Sequence, residues 1–583
     1  MRYSNKAPVF LKRLSSFKEC FNVWGLDVET ENLDGKNTFQ MCSIVGDCGI
    51  KKFFWNREDF IKELNYNYEL YSSGKIFCTN AEFDVLTIFK NSDEMKKLQL
   101  NMHKGRFICA YYQTNDRKIK FLDTLNFIKL GVEKLGKLVD TPKLKSPENL
   151  GKIKTENMSF LEKAKLEAYN YNDSLITYKA AKLLQKGFNS LGGKMRNTIS
   201  STALDIYRRK YMPFDIPQLP KSVIDLSRFS LYGGRTEAIK RGNISNLNLK
   251  QYDINSMYPA MMLSHDYPDP RSYYKVNHYN PDIFEREGFS DVTLESGGYY
   301  IPILPFRHNN KLVFPNGTFR GFYTHAEIRN ALYYGYSVEK YHSGYCFSKS
   351  FQPFNDYVRD IYDLRLKYQK EKNPLEITAK LLLNGLYGKW GQKTDDYEHI
   401  VLTKYATEKD FKNASSWTRD YLVLNKKFSK MSDFINPLLS AYTTSYARIL
   451  LNDYIMKYQD VFYMDTDCII TTHDLEDSSE LGELKKVCEI KKGCIVKPKM
   501  YYINEDVKIK GFSKATKNSF DNILNNKSVE YMKFTKYRES IKRGFDFSEI
   551  KTIEKTFGLE DDKRTWSEKF NPEVLQDSQP LIF

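Results

Sequence analysis

Paired cysteines are missing from this sequence. The nine Cys are scattered and odd in number, with no C-x-x-C pair and no Cys/His cluster at zinc spacing. That excludes a disulfide scaffold and a zinc-stapled fold. The closest pairs, Cys42 with Cys48 and Cys488 with Cys494, are expected to pack as small hydrophobes. The eight His are equally dispersed, so any metal is expected on oxygen ligands. No run approaches the ~18 consecutive apolar residues of a spanning helix, which argues against a membrane protein. There is no internal repeat and no low-complexity tract, so a solenoid or coiled coil is not expected. The basic stretch Met1–Lys18 lacks an apolar h-region, which disfavours secretion.

What is present is positive charge and aromatic rings. The 583 residues carry 89 Lys and Arg against 73 Asp and Glu, a net +16, with a pI near 9.0. Such a balance points to a polyanionic partner. Aromatics reach 15%, led by 42 Tyr and 38 Phe, and hydrophobic residues 41%, as in a globular chain. At about 150 residues per domain the length suggests roughly four domains.

Acids recur at the ends of apolar segments. Asp27 and Glu29 sit at i and i+2 on an expected strand, so both leave one face. Asp84 follows Asn80-Ala81-Glu82-Phe83 at the edge of an expected helix, and Tyr169 and Asp173 share one helical face at i and i+4. Carboxylates converging without a counter-cation repel, so their convergence makes sense around bound metal. Two Mg²⁺ ions held this way activate a water and stabilise a leaving oxygen of a phosphodiester. Tyr169 is a candidate to orient that water.

A second set is sharper. In Tyr463-Met464-Asp465-Thr466-Asp467-Cys468-Ile469-Ile470 two acids interrupt an otherwise apolar hairpin, and burying them uncompensated costs several kcal/mol each. Upstream, Asp253 ends a strand before Tyr258-Pro259. Asp253, Asp465 and Asp467 together suit two metals against a triphosphate and a 3′ hydroxyl. Between them, Lys380, Asn384, Tyr387 and Gly388 recur on one helical face, offering a point charge, an amide, an aromatic plate and close approach to a nucleoside triphosphate. The long helical pattern Asp356–Trp390 is expected to break near Asn373-Pro374.

Taken together, Asp27-x-Glu29, Asn80-x-x-Phe83-Asp84 and Tyr169-x-x-x-Asp173 resemble the three proofreading exonuclease motifs of family B DNA polymerases. Asp253 with Ser256-Met257-Tyr258-Pro259, Lys380-x-x-x-Asn384-Gly385-Leu386-Tyr387-Gly388 and Tyr463-x-Asp465-Thr466-Asp467 resemble that family's three polymerase motifs, in order. The layout is similar to the protein-primed branch of small tailed phages and linear plasmids. Asp123-Thr124-Leu125 resembles that branch's single-strand ligand motif, Tyr232-Gly233-Gly234 its exonuclease–palm linker, and Lys499-Met500-Tyr501 its primer-contact motif, with both side chains expected on one strand face. Only 26 residues precede Asp27, so no large N-terminal domain is expected. Gly385 and Met257 are mild departures from the family's usual Ser and Leu.

The resemblance implies an α/β multidomain fold: an RNase H-like 3′-5′ exonuclease domain plus a right-hand polymerase with palm, fingers, thumb and two insertions. Its expected bounds are 1–190 for the exonuclease and 191–264 with 437–514 for the palm. Insertion 1 (265–355) would contact the terminal protein, 356–390 form the fingers, insertion 2 (391–436) wrap duplex and displace a strand, and 515–583 form the thumb. It implies Mg²⁺, two per active site with Mn²⁺ a possible substitute. Asp253, the Ile254 carbonyl, Asp465 and Asp467 would be ligands in one site, and Asp27, Glu29, Asp84 and Asp173 in the other. Tyr258 would select deoxyribonucleotides, Lys380 would meet the triphosphate with Arg365 or Lys367 as a second cation, and Tyr387 would stack near the nascent pair. Asn80, Phe83, Thr124 and Leu125 would grip a frayed 3′ end; Tyr232, Gly233, Gly234, Lys499 and Tyr501 would contact DNA. The exonuclease lysine is Lys143 or Lys145. Expected partners are primer–template and single-stranded DNA, dNTPs and a terminal protein, with no membrane, in a monomer inside a host cell or, alternatively, a mitochondrion. An oligonucleotide-primed family B polymerase and a nuclease with a noncatalytic DNA clamp are the alternatives.

Overall fold

The computed structural model describes residues 9–15, 21–33, 36–90, 92–393, 397–403, 407–417, 422–427, 432–512, 515–535 and 549–583. Parts of the basic leader Met1–Lys18, of segment 391–436 and of segment 515–583 lie outside them.

The first apolar strand, Asn22–Leu33, lies third from one edge of a ten-stranded mixed sheet. It pairs in parallel with Gly74–Cys78, which pairs in parallel with Lys118–Asp123, and antiparallel with Lys36–Gly46 on its other side. The helix Phe160–Ser190 covers this sheet. Its start is set by a capping box, in which Ser159 Oγ accepts from the Glu162 N–H while the Glu162 carboxylate accepts from Ser159 N at 2.9 Å. One side of this helix is buried (Tyr169, Asp173, Ile176, Ala180, Leu184), at the spacing of a single helical face.

Segment 391–436 contributes to the same sheet. Tyr397–Thr403 pairs antiparallel with Leu98–His103, and Leu422–Lys427 and Ala414–Trp417 extend the sheet beyond it. A stretch that reads as a charged insertion thus caps a sheet edge that lies about 300 positions earlier in the chain.

A second, all-antiparallel sheet has the order Thr236–Ala238, Val461–Asp465, Cys468–Thr471, Leu249–Ile254, Leu484–Ile490. The helices Met257–Ser264 and Pro437–Tyr458 belong to the apolar cluster that also takes in Tyr252 and Ile254 of this sheet. The helices Asn355–Lys370, Glu376–Gly385 and Tyr387–Trp390 follow in sequence, with the expected break at Asn373-Pro374. Between residues 265 and 355 a four-stranded sheet forms from Tyr273–Val276, Ser337–Phe347, Gly288–Ser296 and Gly317–Thr324.

Segment 515–583, expected as the thumb, has two parts. Lys517–Leu524 is a helix and Val529–Thr535 pairs with Glu549–Lys555, but the chain then turns back. Gln576–Pro580 pairs with Lys240–Asn243 beside the second sheet, and Arg564–Trp566 adds outside it. The physical reason is Arg241. It is fully buried, and among the described residues its guanidinium hydrogen-bonds to this returning segment: Gln576 Oε1 at 3.0 Å, Glu560 Oε2 at 3.1 Å and the Glu568 carbonyl at 2.8 Å. Among the described residues, no helix is long and apolar enough to cross a membrane.

Candidate functional site

Two groups of acids form on the two sheets. In the first, Gly25 decides how closely the covering helix approaches. A Cβ there would lie 2.2 Å from the Ser174 carbonyl oxygen and 2.6 Å from Tyr178 N, so the helix rests on the bare strand backbone. Asp173 is thereby brought to Asp27, two residues along that strand. Asp27, Glu29 and Asp173 offer ligand oxygens all within 4.8 Å of one another, the only such group among the described residues. Asp84, buried, accepts from the Val28 N–H at 3.2 Å, and its charge acts on Asp27.

The electrostatics are those of a cage with more acid than positive charge. Burial, then Glu29, Asp84 and Asp173, push the Asp27 carboxyl well above the usual carboxylate range; burial and Asp173 push Glu29 up to about 7. Burial also raises Asp84 and Asp173, the latter against the opposing pull of Lys143. Asp84 Oδ2 and Asp173 Oδ1 are buried without a hydrogen-bond partner. Buried carboxylate oxygens without a partner, beside other acids, fit hard divalent cations. Lys143, rather than Lys145, is the lysine at this centre: its ammonium pairs with Asp173 and lies 4.5 Å from the Tyr169 ring centroid. Asn170 escaped the sequence reading. It is fully buried and its Nδ2 donates to Asp27 Oδ2 at 2.8 Å; its place three residues before Asp173, on the same helical face, was the available signal.

Asn80 (φ 78°) and Phe83 are partly exposed at the head of the helix Ala81–Phe89. Asp123 holds this corner, accepting from the N–H groups of Asn80 and Ala81, each at 3.1 Å, and Leu125 at 2.8 Å. Leu125 is partly exposed, but Thr124 is not available to DNA as expected. It is fully buried, bonded to Thr79 Oγ1 at 3.0 Å, because the chain turns inward after the strand.

In the second group, Asp253 ends its strand opposite Cys468, and the Ile254 N–H donates to the Asp467 carbonyl at 2.7 Å. Burial, then Asp253, raise Asp467 above the usual range, and Asp253 Oδ1 is buried without a partner. These two acids again fit a divalent cation. Asp465 is different. Its carboxylate accepts from Thr236 Oγ1 at 3.1 Å and pairs with Lys499 at 3.1 Å and Lys508 at 3.9 Å. Lys499 is not on a strand face with Tyr501, as expected, but in the turn before Met500–Ile503 at φ 61°, since the chain must reverse between two paired strands. Tyr501 is buried edge-on to Tyr463, whose hydroxyl accepts from the Lys499 N–H at 3.0 Å.

Gly234 packs against the hairpin turn itself: a Cβ there would meet Thr466 Cγ2 at 2.7 Å and the Tyr258 hydroxyl at 3.1 Å. Gly233 is exposed, but Tyr232 is buried, stacked on Tyr323 with the Arg307 guanidinium 4.1 Å from its ring, so it supports the turn rather than facing solvent. Tyr258 lies with its ring centroid 4.4 Å from that of Tyr387.

On the helices beyond, Lys380, Asn384 and Gly388 are exposed and Tyr387 partly so, while Ala379, Leu382, Leu383 and Leu386 are buried, giving the expected polar face. Arg365 is drawn to this centre, donating to Ser256 Oγ at 3.0 Å and to Glu376 Oε1 at 2.9 Å. Lys367 is exposed and pairs with Glu371; two residues on, it lies about 200° around the helix from Arg365 and faces elsewhere. A cavity of about 700 Å³ opens where strands of the first sheet meet residues 194–208 and 433–434, lined by Lys75, Lys120, Lys194, Arg196, Arg208 and Lys389. Lys389 is buried there, which lowers its ammonium to about 8.

Comparison with known proteins places this geometry. The family model described as DNA polymerase type B, organellar and viral, matches residues 139–446, more than half of the chain. A probable DNA polymerase of Ascobolus immersus is 30% identical over 344 residues, 54% of this chain and 28% of its own length. The DNA-directed DNA polymerase of Enterobacteria phage PRD1 is 26% identical over 356 residues, covering 57% and 58% of the two chains. The chain spans about a third of the length of the fungal relatives from Ascobolus immersus, Neurospora intermedia and Podospora anserina. In three dimensions it is similar to Phi29 DNA polymerase complexed with primer-template DNA, with TM-score 0.70 at 16% identity, covering 92% of this chain and all of that one. The fold is therefore that of an exonuclease domain joined to palm, fingers and thumb, and the chain belongs to the organellar and viral family of type B DNA polymerases.

Proposed function

We propose that this chain is a DNA-directed DNA polymerase with a separate 3′-5′ proofreading exonuclease, which initiates on a terminal protein and copies a linear DNA with strand displacement. One observation carries the polymerase reading: Asp253 with a buried, unpartnered oxygen, beside an Asp467 whose ionisation burial and that neighbour oppose, at the end of two paired strands.

In the palm, Asp253, Asp467 and the Ile254 carbonyl would hold Mg²⁺, with Asp465 assisting. In the exonuclease, Asp27, Glu29, Asp84 and Asp173 would do so. Divalent ions bound there supply charge neutralisation at the phosphate and at the attacking and leaving oxygens. The chain's own groups do the rest. Lys380 meets the departing pyrophosphate, with Arg365, already tied to Ser256, as the second cation. The Tyr258 ring, backed by Tyr387, forms the floor beneath the sugar and excludes a 2′ hydroxyl. Lys499 and Lys508, gathered on Asp465, face the primer strand. At the other centre Tyr169 and Lys143 orient the attacking water, and Asn80, Phe83 and Leu125 hold the unpaired 3′ end; stacking on an aromatic ring is worth ~1–3 kcal/mol per base and tolerates any sequence. The basic cavity beside the first sheet offers phosphate contacts to a single strand, so DNA affinity falls steeply with salt. Residues 265–355 would contact the terminal protein and 391–436 wrap the duplex. A role inside a host cell or mitochondrion would accord with the organellar and viral description of the family.

The test supplies Mg²⁺, primed template and one labelled dNTP at a time, with and without the protein encoded beside this gene. Extension of the primer supports polymerisation; its absence overturns it. An SDS-stable labelled protein band supports protein priming, and label confined to oligonucleotide primers assigns the chain to oligonucleotide priming instead.

A further inference from the structure

We propose that the returning segment after residue 560 is part of the polymerase centre, and that Lys563 is a positioning residue that holds Thr236 and, through it, the Asp465 carboxylate. This rests on the reading above that Asp253, Asp465 and Asp467 serve nucleotide transfer.

Thr236–Ala238 is the edge strand of the palm sheet, and Thr236 stands opposite Asp465 in the ladder. Thr236 makes two bonds that link opposite sides of the strand. Its Oγ1 donates to Asp465 Oδ1 at 3.1 Å, and its carbonyl accepts from Lys563 Nζ at 2.7 Å. An edge-strand carbonyl facing protein rather than water needs a partner, and an ammonium supplies a charge-assisted one. The adjacent residue acts on the same turn, since the Arg235 carbonyl accepts from the Thr466 N–H at 2.6 Å. The strand therefore holds both the side chain of Asp465 and the backbone after it.

Lys563 is itself fixed. Its N–H donates to Asp561 Oδ1 at 3.2 Å, and the charges of Glu237 and Asp561 offset the burial that draws its ammonium below the usual lysine range. Around it, Arg235 and Glu237 form a fully buried ion pair at 2.6 Å, while Arg564 reaches Ser578 Oγ at 2.6 Å and that hydroxyl donates to the Ile239 carbonyl at 2.5 Å. With Arg241 bonded wholly into the same segment, residues 235–241 are clasped along their length. Separating clasp from strand would strand buried charges, so the strand's register, and Asp465 with it, is set from this side. A lysine serving DNA would instead present its ammonium to solvent.

The experiment compares Lys563→Met, Lys563→Arg, Thr236→Val and the Lys563→Met/Thr236→Val double variant in the full chain. Loss of one bond in a charged network predicts a maximal incorporation rate lower by ~10-fold in Lys563→Met and in Thr236→Val. The dNTP KM, primer–template affinity and its salt dependence should stay unchanged. Lys563→Arg should recover most of the rate, and the double variant should lose no more than Thr236→Val alone, because both changes cut one chain of bonds. Amide exchange over 461–471 should quicken in Lys563→Met while 22–33 keeps its protection. Additive losses, unchanged exchange at 461–471, or weaker DNA binding with a shallower salt slope at an intact rate would each overturn the proposal. If the unaltered chain incorporates no nucleotide, the polymerase reading fails, and the exchange result alone then decides whether Lys563 positions Asp465.

Discussion

Replacing Gly234 by Ala adds one carbon where there is no room for it. The new Cβ would stand 2.7 Å from Thr466 Cγ2 and 3.0 Å from Thr466 Oγ1. Carbon atoms prefer about 3.5–4.0 Å, so the shortfall is close to 1 Å. Thr466 cannot easily yield. It is a β-branched residue already at φ 68°, and its N–H is held by the Arg235 carbonyl at 2.6 Å. The displacement should pass to its neighbours, Asp465 and Asp467. Overpacking of this kind costs about 1–3 kcal/mol, and a misplacement near 1 Å at a reacting centre costs up to ~100-fold in rate. We therefore expect Gly234→Ala to lower single-turnover incorporation on a primed template by roughly 10- to 100-fold. Degradation of a labelled single-stranded oligonucleotide serves as the internal control and should be retained, since Asp27 and Asp173 belong to the other sheet and its helix. Gly233 provides the contrast. A Cβ there meets nothing within 4 Å, so Gly233→Ala should lose less. Equal losses at the two glycines, or full activity in Gly234→Ala, would refute the steric reasoning.

Three further outcomes follow from the separation of the two centres. Asp467→Asn should abolish incorporation and leave single-strand degradation intact, whereas Asp27→Ala combined with Asp84→Ala should do the reverse; joint loss in either variant would contradict independent sites. Tyr258→Val should admit ribonucleotides, measured as the ratio of kcat/KM for dNTP and rNTP; an unchanged ratio places the sugar gate elsewhere. Mg²⁺ should raise the melting temperature more at pH 8 than at pH 6. The carboxyls of Asp27, Glu29 and Asp84 have raised values in the folded chain, Glu29 near 7, so the stability they contribute is present when protonated and lost as pH rises through that range, where the cation replaces the proton. Melting curves with equal increments at both pH values, or an undiminished increment in the Asp27→Ala/Asp84→Ala variant, would count against this cage.

The order of the acids, the hairpin that carries Asp465 and Asp467, and the break at Asn373-Pro374 were legible, because each depends on local periodicity or chain stiffness. Facts that depend on which distant segments touch were not. Lys143 and Lys145 are equivalent as letters, and only the packing of residue 143 beside Tyr169 and Asp173 separates them. The sequence marks 391–436 only as an insertion and cannot name Leu98–His103 as the strand that Tyr397–Thr403 joins. A motif with a lysine two positions before a tyrosine reads as one strand face, yet the left-handed turn at Lys499 puts the two side chains in different settings. The polar chain after 560 gave no sign that Arg241 would need it, since a buried arginine is visible only once its partners surround it.

The two centres also differ in how complete they are without substrate. Around Asp27, Glu29, Asp84 and Asp173 a single lysine, Lys143, offsets four acids; around Asp253, Asp465 and Asp467 two lysines, Lys499 and Lys508, gather on Asp465 alone. On the proposed reading, the first cage has enough uncompensated charge to draw divalent ions by itself, whereas in the second Asp253 acts on Asp467 more strongly than does Asp465, which its lysines hold. Ion binding in the palm would then be completed by the triphosphate, whose oxygens supply the negative charge that Asp465 has surrendered to its lysines. The same division explains why Asp465 is held so firmly from behind by Thr236. A carboxylate that organises two flexible lysines must itself be immobile, because each half ångström it moves is passed on to the ends of two long side chains.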